Sequence, residues 1–503
     1  MQFLYAARSL PTSGKTVDKR MVLRLKKYDL IVVGSGSVME IVDAVLRDNP
    51  HMKVAVIDKD EPGGICLTRG CIPSKILLYP AEIVRVIQEA KRLGIDVDVR
   101  KVYFDRVMER MRTQIRSEID MIRQGLSHTE NVDYYPATAE FTGPYTLMVS
   151  GETVTSKFII LGAGSKPSIP PVKGLEETGN LTSDTVLELG QLPQSMAVIG
   201  GGYIAAEYGH FFAAMGSKVT IIGRNRQFLP DEEPEISAVA KFELQKHMTI
   251  MTNHEVREAR KMGNGLKKLV AVNRETGQSV EISAHEVLVA SGRSSNSDIL
   301  DPERAGIKTD GEGWIATNEF LETSQPGVWA LGDATGKYLF KHKANYDASI
   351  VYFNAVLKRG VKADYHAVPH AVFTFPEVAS VGLQEKEAIQ QYGEDLVLIG
   401  SHRYADTAKG QAIGIEEENY FVKIIVLKDS LKIVGAHIVG PQASVLIQEV
   451  INLMYTPEQS ARPILNAMHI HPALSEVVQK ALDALAPPEA YHHMLEHHYG
   501  LKL

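Results

Sequence analysis

The sequence predicts an α/β protein in which one parallel-sheet device is built twice and a C-terminal α+β domain follows. Two glycine turns, each set between an apolar strand and a helical stretch, predict the repeated device. A change of pattern near residue 362, to strands alternating with long helices, predicts the last domain. A chain of 503 residues allows about three domains, and its 44% apolar content supplies ample core material.

The first device is "YDLIVVGSGSVMEIVDAVLRDNPHMKVAVIDKD": an apolar strand, a turn at Gly34 and Gly36, a helical stretch, and a second apolar strand ending at Asp58. The second, "MAVIGGGYIAAEYGHFFAAMGSKVTIIGRNR", has the same order, with its turn at Gly200 and Gly202. In such a unit the first glycine turns the chain tightly and the second lets backbone approach a pyrophosphate. The helix N-terminus then offers free N–H groups and a favourable dipole to the phosphate charge. One such fingerprint is weak evidence, but two in full strand, turn, helix and strand context predict two Rossmann-like dinucleotide-binding domains. Met39 stands where a third small residue would ease helix packing in the first copy, whereas the second has the small Ala205 there.

Between the copies lie a charged helical stretch near 81–126 and "FIILGAGSKPSIPP", a strand leaving through Gly164. After the second copy come "EVLVASGRSSNSDIL" and "GVWALGDATG", apolar strands broken by glycine. A net charge of −7 without a basic block argues against nucleic acid or an anionic membrane surface, so small molecules are the expected partners. No run of 18 apolar residues occurs, and no membrane span is expected. The first 27 residues are basic with a single acid, Asp18, and lack a secretory signal. They are read as an N-terminal extension, and the protein as cytoplasmic.

Both cysteines of the chain, Cys66 and Cys71, fall in "GGICLTRGCIPSK". Structural zinc wants four ligands and none is near, so no metal site is expected. A static disulfide does not suit a reducing compartment. Two unrelated thiols stay open as a reading, but a redox-active dithiol fits the glycine-shaped loop best. Residues five apart on a regular helix lie about 7.5 Å apart along its axis, beyond the usual Cα separation of about 4.4–6.8 Å for a disulfide. The turn must therefore be distorted, and Gly70 is the residue that permits it. With two dinucleotide sites in one chain, a route from nicotinamide to flavin to disulfide suggests itself.

These motifs, in this order from about Tyr28 to Leu485, resemble the flavin-dependent pyridine nucleotide-disulfide oxidoreductases of class I. The resemblance implies one tightly bound FAD per subunit and a C-terminal dimerisation domain. It makes Cys66 the thiol that exchanges with substrate, Cys71 the one facing flavin, and Lys75, paired with Glu207, the residue beside the flavin ring. Asp58 takes the place of the acid on the adenosine ribose, Gly332-Asp333 resembles the flavin-binding Gly-Asp, and Tyr203 resembles the ring gating the nicotinamide pocket. "HIHPALSEVVQKAL" resembles the family's C-terminal motif, with His471 as proton carrier and Glu476 as its orienting partner. Because the family brings that segment from the partner subunit, a homodimer with shared active sites is implied. The expected domains are 1–27 (extension), 28–165 and 290–361 (FAD-binding), 166–289 (NAD(P)-binding) and 362–503 (dimerisation).

Departures from the family pattern narrow the expectation. Gly223 stands where NAD-binding members place an acid, and Arg224 and Arg226 follow, which predicts NADP preferred over NAD. Stretches such as "GGYIAAEYGH" and "AVFTFPEVASVGL" are most similar to mycothione reductases, so a low-molecular-weight disulfide is the expected substrate. Dihydrolipoamide dehydrogenase, oxidising dihydrolipoyl groups with NAD, is the alternative, and a redox-inactive flavin-binding sensor is the alternative of another class. Mercuric reductases use a further C-terminal cysteine pair, which this chain lacks. Thr68-Arg69 replaces the usual Asn-Val, and two readings of Arg69 compete: a guanidinium lowering the Cys66 pKa or meeting an anionic substrate, or a side chain in solvent. His493 and His497, four apart near the C-terminus, are read as an exposed polar tail rather than a metal grip.

Overall fold

The four residues Leu30–Val33 are buried without alternation, as a strand covered on both faces requires. In the computed structural model, which describes residues 25–416 and 419–498, this strand lies at the centre of a five-stranded parallel sheet. Its neighbours are Ile159–Leu161 and then Val328–Ala330 on one side, and Val54–Ile57 and then Val132–Tyr135 on the other. That order explains why residues hundreds apart meet. The turn at Gly34 leaves the carboxyl end of the central strand, and Asp58, Gly164 and Asp333 follow its neighbours at the same edge, where open α/β sheets bind ligands.

A second parallel sheet repeats the plan, in the order Leu181–Thr182, Glu286–Val289, Ser195–Ile199, Lys218–Ile222 and Thr249–Met251. Each unit also carries antiparallel strands the sequence reading did not anticipate. They are Ala139–Gly143, Thr146–Val149 and Glu152–Thr155 in the first, and His254–Lys261, Lys267–Asn273 and Ser279–Ala284 in the second. Ser165–Pro167 pairs antiparallel with Arg293–Ser295, so the chain leaves the first unit and returns to it through one two-stranded ribbon.

Beyond it, an antiparallel sheet runs His370–Val372, Glu377–Gly382, Ile433–Gly440, Phe421–Leu427 and Val397–Arg403, with helix Ala443–Met454 packed on it. Two expectations are corrected. The helical stretch near 81–126 is two helices, Cys71–Glu89 and Phe104–His128. Residues 1–24 of the extension lie outside the described residues, and its end, Leu25–Lys27, is a strand in register with Thr153–Thr155. Among the described residues no helix is long and apolar enough to cross a membrane.

Candidate active site

Helix Gly64–Arg69 stops at Gly70 and helix Cys71–Glu89 begins at once, so the two cysteines sit on either side of a break. The break brings their Cα atoms to 4.8 Å, and they are joined as a disulfide. A Cβ at position 70 would lie 2.8 Å from the Ile65 carbonyl oxygen, so the break has no room for another residue type.

The disulfide lines a cavity of about 470 Å³. The same cavity reaches Gly34, Gly36, Asp58, Gly164 and Asp333 in the first unit, Tyr203 and Glu207 in the second, and His370 and Phe373 in the last domain. At its first-unit end Asp58 accepts hydrogen bonds from Ser35 N (2.8 Å), Ser35 Oγ (2.6 Å) and Asp60 N (3.0 Å). Burial nevertheless leaves the Asp58 carboxyl above the usual carboxylate range. Ser165 Oγ donates to Asp333 at 2.6 Å. Beneath that contact, the buried pair Lys343–Asp347 (2.7 Å) fixes the turn, with Asp347 accepting Gly332 N at 2.9 Å.

At the middle of the cavity Lys75 Nζ donates to both oxygens of Glu207 at 2.8 Å, and Glu207 also accepts Phe373 N at 3.0 Å. Residues 75, 207 and 373 come from three different domains, so this one carboxylate ties them together. Tyr203, the first residue of helix Tyr203–Met215, packs on Phe340 with ring centroids 6.1 Å apart, and burial raises its hydroxyl to about 12.

His471 and Glu476 lie together but not among the residues lining this cavity. His471 Nδ1 is 2.9 and 3.1 Å from the two Glu476 oxygens, and Glu476 also accepts Ala473 N. The hydrogen bond to His471 holds the Glu476 carboxyl below its usual range. The imidazole is 69% exposed in the single chain, beside fully exposed Met468 and largely exposed Ile470.

Arg224 and Arg226 are exposed beyond the strand Lys218–Ile222, and Arg226 stands 3.8 Å from Glu275. Arg69 does not point freely into solvent: it pairs with Asp60 and, at 3.0 Å, with Asp184, and it lines the same cavity as the disulfide. The His493 and His497 rings are 4.3 Å apart, but among the described residues no group of three His, Cys, Asp or Glu is placed to hold a metal ion.

The pyridine nucleotide-disulphide oxidoreductase family model matches residues 28–368, and the dimerisation domain of the same family matches residues 368–482. The chain belongs to this family. Mycothione reductase of Mycobacterium tuberculosis is 35% identical over 479 residues, covering 91% of this chain and 99% of that protein. Dihydrolipoyl dehydrogenase of Chlamydia muridarum is 33% identical over 468 residues, covering 92% and 97%. Among solved structures, the HOCl-induced flavoprotein disulfide reductase RclA of Escherichia coli superposes with a TM-score of 0.77 at 25% identity, covering 91% of this chain and 99% of that one.

The oxidoreductase family is FAD-dependent, and the first-unit end of the cavity fits that group. Gly34, at φ +100°, passes so close to Gly162 that a Cβ would lie 2.2 Å from its oxygen, so only glycine can make this turn, whose backbone with that of Gly36 lines the cavity where a pyrophosphate would lie. Sequence reasoning missed several residues of this oxidoreductase's cavity. Lys341 donates to Ser37 Oγ at 2.8 Å in the first glycine turn, and Arg293 donates to Ser165 Oγ at 2.6 Å. Nothing in "YLFKHKANYDA" or "SGRSSNSDIL" marks which cation turns inward.

Proposed function

We propose that the protein passes reducing equivalents from NADPH through FAD to the Cys66–Cys71 disulfide and on to a low-molecular-weight disulfide. The observation that carries this reading is the single cavity shared by that disulfide, the first glycine turn and the Tyr203–Glu207 helix. When bound, FAD supplies the two-electron relay between a nicotinamide and sulfur. The backbone at Gly34 and Gly36 would hold its pyrophosphate, Asp58 its adenosine ribose, and Gly164 and Asp333 its remaining polar atoms. Lys75, oriented by Glu207, would present an ammonium beside the ring. Gly200 and Gly202 would receive the nicotinamide dinucleotide, Tyr203 would cover the ring's entry, and Arg224 and Arg226 would meet a 2′-phosphate.

In the reduced protein the Cys66 thiolate attacks one sulfur of the substrate disulfide, forming a mixed disulfide and releasing the first thiol. Cys71 then attacks Cys66 Sγ, releasing the second thiol and closing the Cys66–Cys71 bond. Each departing thiolate needs a proton, which His471 of the partner subunit carries, its tautomer fixed by a carboxylate on Nδ1. The exposed His471 beside Met468 and Ile470 supports a homodimer that completes each site with this segment.

The test is anaerobic. One equivalent of NADPH should raise the titratable thiols by two while the flavin ends oxidised, a second equivalent should bleach the flavin, and a disulfide should reverse both. Steady-state comparison of mycothione, oxidised glutathione, bis-γ-glutamylcystine, CoA disulfide and lipoamide, each with NADPH and NADH, then ranks substrates. The 33% identity to a dihydrolipoyl dehydrogenase favours lipoamide with NADH as the second reading. A protein that stays colourless after FAD reconstitution, or whose thiol count does not change on reduction, sinks the proposal.

A further inference from the structure

His370, which lines the cavity, belongs to an ion pair that the redox chemistry above does not use. His370 Nε2 lies 2.6 Å from Glu232 Oε1. The two residues are 138 apart in sequence, one at the start of the last domain's first strand and the other in the loop before helix Pro234–Gln245. Their burial is unequal. Glu232 is 2% exposed, and its second oxygen accepts Ser380 Oγ at 2.5 Å, while His370 is 22% exposed and lines the cavity. The carboxylate is therefore behind and the imidazole in front. The His370 ring stacks on Phe340 (5.8 Å, 2°), the ring against which Tyr203 packs, and His342 also stacks on Phe340 (5.4 Å, 10°).

The charges around His370 favour its protonated form. Burial pulls its pKa down, but Glu232, reinforced by Asp231, more than offsets this and raises it. His342, also against Phe340, is pushed down by burial, and its Nε2 lies 2.8 Å from Pro369 O. Behind Glu232, Ser380 is shared with His437 at 3.1 Å. Lys75, itself paired with Glu207, and Arg293, Lys341 and Asp333 also line the cavity. His370 stands beside the Phe340 ring on which Tyr203 packs, so the form its neighbours favour, an imidazolium, adds a positive charge at that end of the cavity.

A nicotinamide ring is a cation when oxidised and neutral when reduced, so a fixed positive charge at its pocket acts on one form and not the other. We propose that His370 is a specificity-determining residue that weakens the hold on the oxidised nicotinamide, and so favours turnover towards disulfide reduction. This rests on reading the Tyr203 end of the cavity as the nicotinamide pocket. No bond is made or broken by His370: overall equilibrium is unchanged, and what changes is inhibition by the product nucleotide.

The test uses the FAD-loaded enzyme and compares the KM for NADPH with the product-inhibition constant Ki of NADP in wild type and His370→Gln. Two unit charges several ångströms apart in a partly screened site support about a tenfold effect, so Ki should fall about tenfold in the variant while KM stays within about twofold. In wild type the Ki/KM ratio should decline as pH rises above neutrality through the raised imidazole pKa, and in His370→Gln it should be flat. Glu232→Gln keeps the imidazole but removes what raises its pKa, so the decline should move to lower pH; this variant also decides the matter if His370→Gln does not fold. Wild-type flavin that neither nicotinamide reduces overturns the proposed function and this inference with it. Wild-type turnover with a Ki/KM ratio that neither variant alters overturns this inference alone.

Discussion

At the first glycine turn a Cβ on Gly34 would stand 2.2 Å from the Gly162 carbonyl oxygen, and at the second a Cβ on Gly200 would stand 2.1 Å from that of Ala290. Both glycines have positive φ, +100° and +137°, and both follow the central strand of a parallel sheet. The two units part company at the end of the next strand. In the first, Asp58 is drawn in by Ser35 and the Asp60 amide, and Ser35 Oγ also accepts Gly63 N at 3.0 Å, so the turn is laced to the loop that leads to the cysteines. In the second, Gly223 carries no side chain to lace, and Arg224 and Arg226 lie exposed. One geometry thus serves two kinds of tenancy: a laced turn suits a cofactor that stays, and an open one suits a nucleotide that arrives and leaves each cycle.

The largest effect should come from the glycines themselves. Gly34→Ala and Gly200→Ala each force a Cβ into backbone at a φ that alanine resists, a cost of several kcal/mol. Gly34→Ala should yield protein without bound flavin and with a lowered Tm. Gly200→Ala should keep its flavin, measured by the ratio of visible to ultraviolet absorbance, but lose reduction by either nicotinamide. If both variants lose flavin equally, the two turns do not divide the work as described.

Next comes the bridge between the units. Glu207→Gln leaves Lys75 with a neutral amide and weakens the tie to Phe373 N, and loss of a charge-assisted hydrogen bond is worth about 1.5–3 kcal/mol. Flavin reduction by NADPH should slow by about one to two orders of magnitude in stopped flow. Flavin content should be unchanged, which separates this from the glycine variants.

A smaller change should follow at the open end of the second unit. The double variant Arg224→Ala, Arg226→Ala should lower the NADPH-over-NADH ratio of kcat/KM by about tenfold or more, nearly all of it through KM for NADPH. Arg226 already has Glu275 at 3.8 Å, so Arg224 should carry the larger share when the two are changed singly. A ratio already at or below one in wild type would refute the role given to both.

The sequence made the two units legible because their strands are buried on both faces and read as apolar runs, and because a glycine turn after such a run has few other uses. Cys66, Cys71 and the break at Gly70 were legible for a related reason: spacing alone forbids a regular helix there. The partners of buried charges were not legible. Lys423 sits fully buried in the strand Phe421–Leu427, within 3.3 Å of Glu233 and Glu235 and of Glu385, yet in sequence it is one lysine in "YFVKIIVLKD". His370 and Glu232 meet across 138 residues, and no periodicity encodes a contact between a loop of one domain and a strand of another. The pairing of Lys75 with Glu207 came from resemblance to a family; neither residue announces the other. The same holds for Asp58, whose residue type suggests a ribose contact but not the three hydrogen bonds it already accepts.

That lacing gives the smallest and most discriminating prediction. Burial raises the Asp58 carboxyl above its unfolded value despite the three donors that favour its charged form. A carboxyl raised in the folded state contributes stability below its unfolded pKa and loses it as pH climbs through the folded pKa. In flavin-free protein Asp58 should therefore be a mild liability at neutral pH. Asp58→Asn should leave the apo Tm at pH 7 within a few degrees of wild type and should flatten its decline between mildly acid and neutral pH. In loaded protein the same substitution should weaken flavin retention during dialysis, because an acid that accepts ribose hydroxyls has been replaced by an amide that also donates. A second-unit counterpart, Gly223→Asp, should leave retention untouched, since that strand end belongs to the site proposed for the nicotinamide nucleotide and not to the flavin's. If Asp58→Asn instead lowers the apo Tm steeply at pH 7 and leaves flavin retention unaltered, then Asp58 serves the turn and not the cofactor, and the laced end of the first unit is architecture alone.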